Sequence, residues 1–138
     1  MSLGDFDCRP LPVRLSGCPG GPTERAEPTD AAGPEVVVLS LDWVRGLTTG
    51  NDILHGGIVM ALADSSGAVC AFLNLPEGTA GTTTIESKTN FMAAIRAGTV
   101  KAHSRPLHVK RRVIVVETEI RGDNGKLAAK TIQSQAVL

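Results

Sequence analysis

The hydrophobic residues of this chain fall into one long apolar stretch and several shorter runs. Residues 53–75 read ILHGGIVMALADSSGAVCAFLNL, and the polar side chains among them are His55, Asp64, Ser65, Ser66 and Asn74. Because apolar residues cover nearly every face of a helix drawn through this stretch, the pattern predicts a core helix over residues 55–74. Turn formers at residues 75–78 end it.

The shorter runs have the composition of β-strands. One precedes the helix and four follow it, at residues 36–41, 82–92, 98–107, 112–121 and 127–138. The sequence Gly-Asp-Asn-Gly at residues 122–125 predicts a hairpin between the last two strands. The order of strand, helix and four strands predicts an α+β fold, in which an antiparallel sheet packs on one helix.

The first 34 residues have a different character, since they hold six of the eight prolines and break any regular period. We therefore predict an irregular arm over residues 1–34 and one folded domain over residues 35–138. The arm begins without the basic residues and apolar run of a secretory signal. The predicted helix is long enough to cross a bilayer, but a central Asp would cost about 3 kcal/mol there, so a buried soluble helix is the better interpretation.

Composition narrows the range of partners and cofactors. The formal net charge of the 138 residues is zero, which provides no general attraction for nucleic acid. The three cysteines, Cys8, Cys18 and Cys70, have no CxxC spacing, so neither a disulfide framework nor a metal site is indicated. This favours a cytoplasmic location. Cys70, in the middle of the apolar helix, is interpreted as a core residue.

Asp64 is the one charged residue of the apolar stretch and the first candidate for chemistry. An ionised carboxylate is costly to bury, so such a group is usually paired, protonated or used. Its neighbours one helical turn away are Met60, Ala61, Gly67 and Ala68. Three of these are small, which leaves room for a ligand, although close packing of the helix on the sheet is the better explanation of Ala61 and Gly67.

His55, Gly56 and Gly57 open the helix, where backbone N–H groups lack internal partners and the helix dipole is positive. This end could bind a phosphate or polarise a carbonyl, or the glycines could only allow close packing. Gly56 and Asp64 lie about 12 Å apart along one helix axis. An oxyanion donor and a base must both reach one reacting atom, so their cooperation requires a homodimer with its sites at the interface.

Hydroxyl and basic residues complete the candidates. Strand alternation turns Thr82 and Thr84 to one face and Thr83 to the other, and a hydroxyl beside a carboxylate could hold an attacking water. Threonine is also simply a good strand former. Between residues 87 and 116 there is no acidic residue but seven basic ones, Lys88, Arg96, Lys101, Arg105, Lys110, Arg111 and Arg112. They form either solvated strand faces or a surface for a phosphorylated ligand.

The run HGGIVMALADSSG, with Asp nine residues after His, resembles the hotdog-fold acyl-CoA thioesterases. The groups that it is most similar to are the phenylacetic acid degradation and 4-hydroxybenzoyl-CoA thioesterases. The likeness extends from about residue 35 to the C-terminus and includes TTTIESKTNFMAAIRAGTVKAHS and the last hairpin. It implies a hotdog fold, an antiparallel β-sheet wrapped around one long central helix.

The resemblance also implies roles for individual residues. Gly56 N–H polarises the thioester carbonyl, His55 supports that loop, Asp64 of the partner subunit is base or nucleophile, and the Thr84 hydroxyl helps to place water. The basic strands and the loop at residues 110–112 meet the phosphates of coenzyme A. The substrate-binding candidates are Asn51, Gly57, Ala68, Thr83, Arg96, Lys110, Arg111 and Arg112.

One position departs from the family pattern. Relatives usually carry Asn or Gln six residues before the His, where this chain has Thr49, and Asn51 follows two residues later. Either Asn51 takes the place of that amide through a reshaped loop, or the contact is missing.

The sequence therefore predicts a cytoplasmic acyl-CoA thioesterase that hydrolyses an acyl- or aryl-CoA to free acid and coenzyme A, as a homodimer or as a tetramer of two dimers. Asp64 either activates water or attacks the carbonyl to form a mixed anhydride. No metal or cofactor is needed, because coenzyme A is part of the substrate. The alternatives are a non-catalytic acyl-CoA-binding domain and an enoyl-CoA hydratase that pairs Asp64 with His55. Nucleic-acid binding is disfavoured because the basic strands lack interleaved aromatics.

Overall fold

The computed structural model describes Val13–Leu15 and residues 32–138. Its elements are β1 (Val13–Leu15), β2 (Val37–Asp42), α1 (Gly56–Leu73), β3 (Thr82–Phe91), β4 (Thr99–Val109), β5 (Val113–Arg121) and β6 (Leu127–Val137). The predicted helix and five strands are all present, with ends that differ from the predicted ones by at most two residues. The α+β class is confirmed.

β1 lies within the arm that the proline pattern predicted to be irregular, and it pairs with β2. Three residues between prolines and glycines are too few to give a periodic signal, which is why the pattern does not identify this strand. The remainder of residues 1–31 lies outside the described residues, so the prediction of an irregular arm there stays a prediction.

The six strands form one sheet in the order β1-β2-β4-β5-β6-β3, and every neighbouring pair is antiparallel. The β5–β6 hairpin turns at residues 122–125, where Gly125 adopts a positive φ of 72° that favours glycine. β3 follows α1 in the sequence and pairs only with β6, so one side of this ten-residue strand is an open edge of the sheet. The position of β3 determines what the site contains.

Helix α1 packs on one face of the sheet, and the core lies between them. Buried and half-buried residues alternate strictly along β5, as expected for a strand covered on one face. The largest buried aliphatic side chains are Leu39, Leu41, Leu62, Ile114 and Ile120. The helix is long and apolar enough to cross a bilayer by composition alone, but eight of its 18 residues are buried within this domain.

The helix-facing side of the sheet is polar towards β6. Thr118, Thr131, Gln133 and Gln135 are at most 1% exposed. Ser104 donates to Ser66 of the helix at 2.7 Å and pairs with Thr118 at 2.7 Å, so these buried hydroxyls satisfy one another. The two glutamines lie beneath Asp64, and their contacts belong to the site.

Candidate active site

The start of α1 is fixed by His55, which is the N-cap of the helix. Its Nδ1 accepts a hydrogen bond from the N–H of Gly57 at 2.9 Å, and its own N–H donates to Leu47 O at 2.9 Å. Nδ1 as acceptor means that a neutral ring carries its proton on Nε2. The N–H of Gly56 donates to no other described residue. The helix therefore begins with a backbone donor that is open to a ligand.

The loop before the helix has an unusual backbone. Asn51 and Asp52 both adopt left-handed φ values of 63° and 56°, a region in which Asn and Asp are enriched among non-glycine residues. The guanidinium of Arg96 donates to the backbone O of Asn51, which ties this loop to the segment after β3. Thr49 closes the turn, since its N–H donates to Ile53 O at 2.7 Å.

A cavity of about 350 Å³ lies beside Gly56. Its lining is mainly apolar and includes Val59, Phe91, Met92 and Ile95. Thr49 also lines this cavity, whereas the exposed Asn51 does not. The position that carries an amide in relatives thus adjoins the cavity in this chain, but with a hydroxyl in its place.

Asp64 lies in the third turn of α1 and is half-buried. Its Oδ1 accepts a hydrogen bond from the Thr84 hydroxyl at 3.0 Å. The Nε2 of Gln133 lies 3.5 Å from the same Oδ1 and 3.4 Å from the backbone O of Asp64. Asp64 forms no ion pair with any described residue. The acid is therefore held by neutral donors and is not consumed by a structural salt bridge.

A β-bulge brings Thr84 to this position. The register of β3 against β6 shifts between Thr84 and Glu86, so Ile85 is an extra residue with 61% exposure. Beyond the bulge, Thr89 bonds the buried Thr131 at 2.8 Å and Phe91 lies against Gly56. The bulge therefore allows both ends of β3 to face the helix, a common use of bulges near active sites.

The structure brings some predicted residues together and leaves others apart. Asp64 meets Thr84, and Ala68 is half-buried one turn further along the helix. Gly56 and Asp64 stand eight residues apart on one straight helix and do not meet within a chain. Thr83 is exposed on the opposite face of β3 from Thr84, where it pairs with Ala136.

Of the seven basic residues, Arg96 binds the loop before the helix, Lys88 is exposed on β3, and the other five form two groups. Lys110, Arg111 and Arg112 are exposed in the β4–β5 turn, and the O of Arg112 accepts from the N–H of Val137 at 3.0 Å. This turn is near the Asp64 end of β3, because Gln135 pairs with Ile114 on one side and with Thr84 on the other. Lys101 and Arg105 lie on the outer face of β4, away from the helix.

The outer face of the sheet carries an ionic network of its own. Glu119 binds Arg121 at 2.7 Å, and Lys130 binds Glu117 at 3.0 Å. Partial burial lowers the pKa of His103 on this face, and the nearby positive charges of Arg121, Lys101 and Arg105 lower it further. This network has no contact with Asp64, which supports the interpretation of these charges as a solvated strand face.

Two buried side chains of the site, Gln133 and Gln135, were missed at the sequence level. They occupy alternate inward positions of β6, in TIQSQAVL, which has Thr131 in the same row. A polar side chain at every second position is normally the sign of a solvent-facing row. Only the pairing of β6 with β3 and β5 shows that this row faces the helix.

The fold and the helix-borne acid define a class of protein, an α+β domain of the hotdog type with a carboxylate on its central helix. Residues 51–129 match the family model of the thioesterase superfamily. The chain belongs to that superfamily, and the predictions of a hotdog fold and of a thioester hydrolase are confirmed at this level.

Individual relatives agree with this assignment. A protein of Saccharolobus solfataricus named as an esterase is 32% identical over 101 residues, which are 73% of this chain and 71% of the relative. The 1,4-dihydroxy-2-naphthoyl-CoA hydrolase of Escherichia coli is 33% identical over 86 residues, 62% of each chain. A crystal structure of a thioesterase from Haemophilus influenzae superposes with a TM-score of 0.74 at 25% identity, covering 79% of this chain and 76% of that one.

Proposed function

We propose that this protein is an acyl-CoA thioesterase whose active site is shared by two copies of the chain, with Asp64 of one copy and the Gly56 N–H of the other acting on one thioester. The observation that carries the proposal is the half-buried Asp64 carboxylate, which Thr84 holds through Oδ1 at 3.0 Å without an ionic partner among the described residues. The similarity to a hydrolase of a naphthoyl-CoA supports a coenzyme A thioester as substrate.

The open edge of β3 supports the pairing of two copies. The N–H of Met92 donates to the O of Ala128 in β6, so by the alternation of an antiparallel ladder Ser87 and Thr89 direct their N–H and C=O groups away from β6. Ile85 and Phe91 on the same strand are 61% and 54% exposed. A long edge with unpaired backbone groups and exposed apolar side chains is suited to binding another strand.

Pairing of two β3 strands explains how the two halves of the site would meet. Within one chain, Thr84 touches Asp64 and the Phe91 ring lies against Gly56. An antiparallel pair of β3 strands centred on Lys88 would pair Ser87 with the partner subunit's Thr89, and the bulge at Ile85 would bring Thr84 beside the partner subunit's Phe91. Asp64 would then face the partner subunit's Gly56 across the substrate.

The chemistry follows from these groups. The thioester carbonyl oxygen accepts the Gly56 N–H, whose donor strength the helix dipole increases as negative charge develops. Water gives one proton to Oδ2 of Asp64 and attacks the carbonyl carbon, while a free lone pair of Thr84 accepts its other hydrogen. Collapse of the tetrahedral intermediate breaks the C–S bond, and the proton on Asp64 returns to the departing sulfur. Free acid and coenzyme A result.

Direct attack by Asp64 is the other route and would give a mixed anhydride before hydrolysis. A single turnover with excess enzyme in ¹⁸O-labelled water identifies the anhydride route when water attacks the carboxyl carbon of Asp64. Attack by water puts the label in the first acid released. Attack by Asp64, followed by hydrolysis at its own carboxyl carbon, leaves that acid unlabelled and the label in Asp64.

The remaining parts of the substrate have candidate sites. The apolar cavity beside Gly56 supports an apolar acyl or aryl group. The exposed turn of Lys110, Arg111 and Arg112 near the Thr84 end of the sheet supports contact with the phosphates of coenzyme A. Contacts of Asn51, Gly57, Ala68, Thr83 and Arg96 with substrate, a tetramer of two dimers and a cytoplasmic location stay predictions.

A complementation experiment tests the shared site. Asp64→Asn removes the base, and Gly56→Pro removes the N–H. The backbone accepts proline there because Gly56 is the first helical residue and His55 has φ −61° and ψ 131°, values that a residue before proline adopts. The added Cβ would stand 3.2 Å from the end of the exposed Phe91 ring, which has to shift slightly. Each variant alone should lose turnover of acyl-CoA. Co-expression should restore about one quarter of the wild-type rate, since half of the dimers are mixed and each has one intact site.

The matched control is co-expression of Asp64→Asn with Thr84→Val. These two defects lie in the same half of the site, so mixing should restore nothing beyond the rate of Thr84→Val alone. Full activity of the Asp64→Asn dimer would end the proposal, as would recovery in the control pair. Tight binding of acyl-CoA without turnover by the wild type would identify a binding domain, and hydration of an enoyl-CoA without thiol release would identify a hydratase.

A further inference from the structure

Two glutamines of β6, Gln133 and Gln135, are completely buried beneath the carboxylate of Asp64. A buried amide that lacks hydrogen-bond partners is costly, so a chain that keeps two of them in its core needs a use for them. Other buried polar side chains bond groups away from Asp64, as Thr131 does with Thr89 and Ser104 with Ser66 and Thr118. Both glutamines instead direct an N–H towards Asp64 or towards the residue that binds it.

Gln135 determines where the hydroxyl hydrogen of Thr84 points. Its Nε2 donates to Thr84 Oγ1 at 2.7 Å. A hydroxyl has a single hydrogen, so Thr84, having accepted that bond, is left to donate to Asp64 Oδ1 at 3.0 Å. An ionised Asp64 can only accept, so the one hydrogen of Thr84 goes to Oδ1 and the Gln135 atom that faces Thr84 must be the donating Nε2, which fixes the orientation of the amide. The chain of donors thus runs from Gln135 through Thr84 to Asp64.

Gln133 approaches the carboxylate of Asp64 directly, and this position leaves its own side-chain oxygen without a hydrogen bond. Its Nε2 lies within 3.5 Å of both the backbone O and the Oδ1 of Asp64, whereas its buried Oε1 has no hydrogen-bond partner among the described residues. The Oε1 packs against Gly67, where an added Cβ would stand 2.4 Å away. If the amide were turned over, its oxygen would face two oxygens of Asp64, which is unfavourable. The orientation that directs Nε2 towards Asp64 therefore leaves Oε1 without a partner among the described residues.

We propose that Gln133 and Gln135 are positioning residues that orient the Asp64 carboxylate through Oδ1, directly and through Thr84, and leave Oδ2 to take the proton from water. This inference rests on the proposed function, since it assumes that Asp64 is the reactive acid. Donors on Oδ1 favour the ionised carboxylate, the form that a base or nucleophile requires. The reactive oxygen is thereby distinguished from the structural one.

Methionine substitutions test the proposal because they keep the length of the side chain and remove the donor. In Gln135→Met and Gln133→Met, kcat should fall about tenfold or more with KM changed by less than about twofold. The acid limb of the kcat/KM profile should move to higher pH, because a donor to the carboxylate is lost. Gln135→Glu should move it further in the same direction, because it adds a negative charge and turns the Thr84 hydroxyl away from Asp64.

Two controls separate positioning from packing. Thr131→Val removes a buried hydroxyl from the same row of β6 and should lower stability without moving the acid limb. In a Thr84→Val background, Gln135→Met should have no further effect on kcat, since Gln135 acts through the lost hydroxyl. Wild-type kcat and an unmoved acid limb in both methionine variants would overturn the proposal.

A measurement that does not need the glutamine variants covers the case in which they fail to fold. The side-chain amide proton signals of Gln133 and Gln135 should shift between the wild type and Asp64→Asn, and the absence of any shift would also overturn the proposal. The proposed function and the role of the two glutamines can be contradicted by different results. If Asp64→Asn retains turnover, the proposed function is wrong, whereas loss of turnover with an unmoved acid limb in the glutamine variants removes only the role of the amides.

Discussion

Gln133 lies so close to Gly67 that a Cβ at residue 67 would stand 2.4 Å from its Oε1. A glycine inside a helix costs about 1 kcal/mol relative to alanine, so it needs a compensating reason. The reason in this chain is space for a buried amide, and close packing of helix on sheet is the better explanation of Gly67. Glycine at position 67 lowers the helix propensity of α1, but it leaves room for the Gln133 side chain of β6 to reach Asp64.

Replacing Gly67 by Ala should therefore have opposite effects in two backgrounds. In the wild type the methyl group displaces the Gln133 amide, which has no free space, and overpacking of this kind costs about 1–3 kcal/mol, more than the helix gains. In Gln133→Ala the obstruction is absent, so the same change should stabilise by up to about 1 kcal/mol. Denaturant unfolding of the four proteins measures both values. If Gly67→Ala changed the free energy of unfolding in the same direction in both backgrounds, the close contact between Gly67 and Gln133 would be contradicted.

Thr84→Val should lower kcat while preserving the fold, because valine keeps the shape and loses the hydroxyl that binds Asp64. A hydrogen bond to a charged group is worth about 1.5–3 kcal/mol, which corresponds to a loss of about 10- to 100-fold. Thr84→Ser should recover most of the rate. Thr89→Val is the matched control, since Thr89 lies on the same strand and binds Thr131 instead. The measurement is the steady-state kcat for hydrolysis of an acyl-CoA. Equal losses of kcat in the two valine variants would contradict a specific role of Thr84.

The local elements of this fold could be predicted because each has its own signal in the sequence. The apolar run of α1 has caps at both ends, with His55 before it and Asn74 after it. The strands are β-branched runs between turn formers. Strand order has no such local signal, since the place of β3 beside β6 depends on which strand edges remain open once the helix covers the sheet. The open edge that supports the dimer therefore emerges only from the three-dimensional structure.

The residues of the candidate site also fall into those that the sequence could identify and those that it could not. Asp64 could be singled out because a charge within an apolar helix is costly. Strand alternation placed Thr82 and Thr84 on one face, and the family resemblance selected Thr84. Gln133 and Gln135 could not, because a row of alternating polar residues in the last strand equally indicates a face in contact with water. Ile85 was also invisible as a bulge, since an extra residue in a strand is defined only by its partner strand.

Blocking the open edge of β3 should abolish activity without unfolding the chain. Ser87→Pro removes an N–H that points away from β6 and adds a ring against an incoming strand, so the dissociation constant of the dimer should rise about tenfold or more. Ser87→Ala keeps the N–H and should remain dimeric and active. Sedimentation and turnover are measured over the same range of protein concentration. A fully active Ser87→Pro monomer would contradict a site made by two chains.

Reversing the charge of the β4–β5 turn should weaken binding of coenzyme A selectively. Replacing Lys110, Arg111 and Arg112 by Glu should raise KM for an acyl-CoA about tenfold or more and leave kcat within about twofold, because only uniform binding is lost. KM for the N-acetylcysteamine thioester of the same acid, which has no phosphates, should not change. Lys126→Glu in the β5–β6 turn is the control at the other end of the sheet. Equal changes of KM for both substrates would place the phosphates elsewhere.

Stability at alkaline pH should depend on Cys70. Its side chain lies in the core at 0% exposure, and burial raises its pKa to about 11, above the usual value of a cysteine thiol. Because the unfolded chain releases the proton first, the contribution of the thiol is complete below pH 9 and is lost as pH rises towards 11, by roughly 2–3 kcal/mol. Urea unfolding of the wild type and Cys70→Ala at pH 8 to 11 should therefore show a steeper loss of stability in the wild type. Parallel curves would show that the thiolate is tolerated in the folded core.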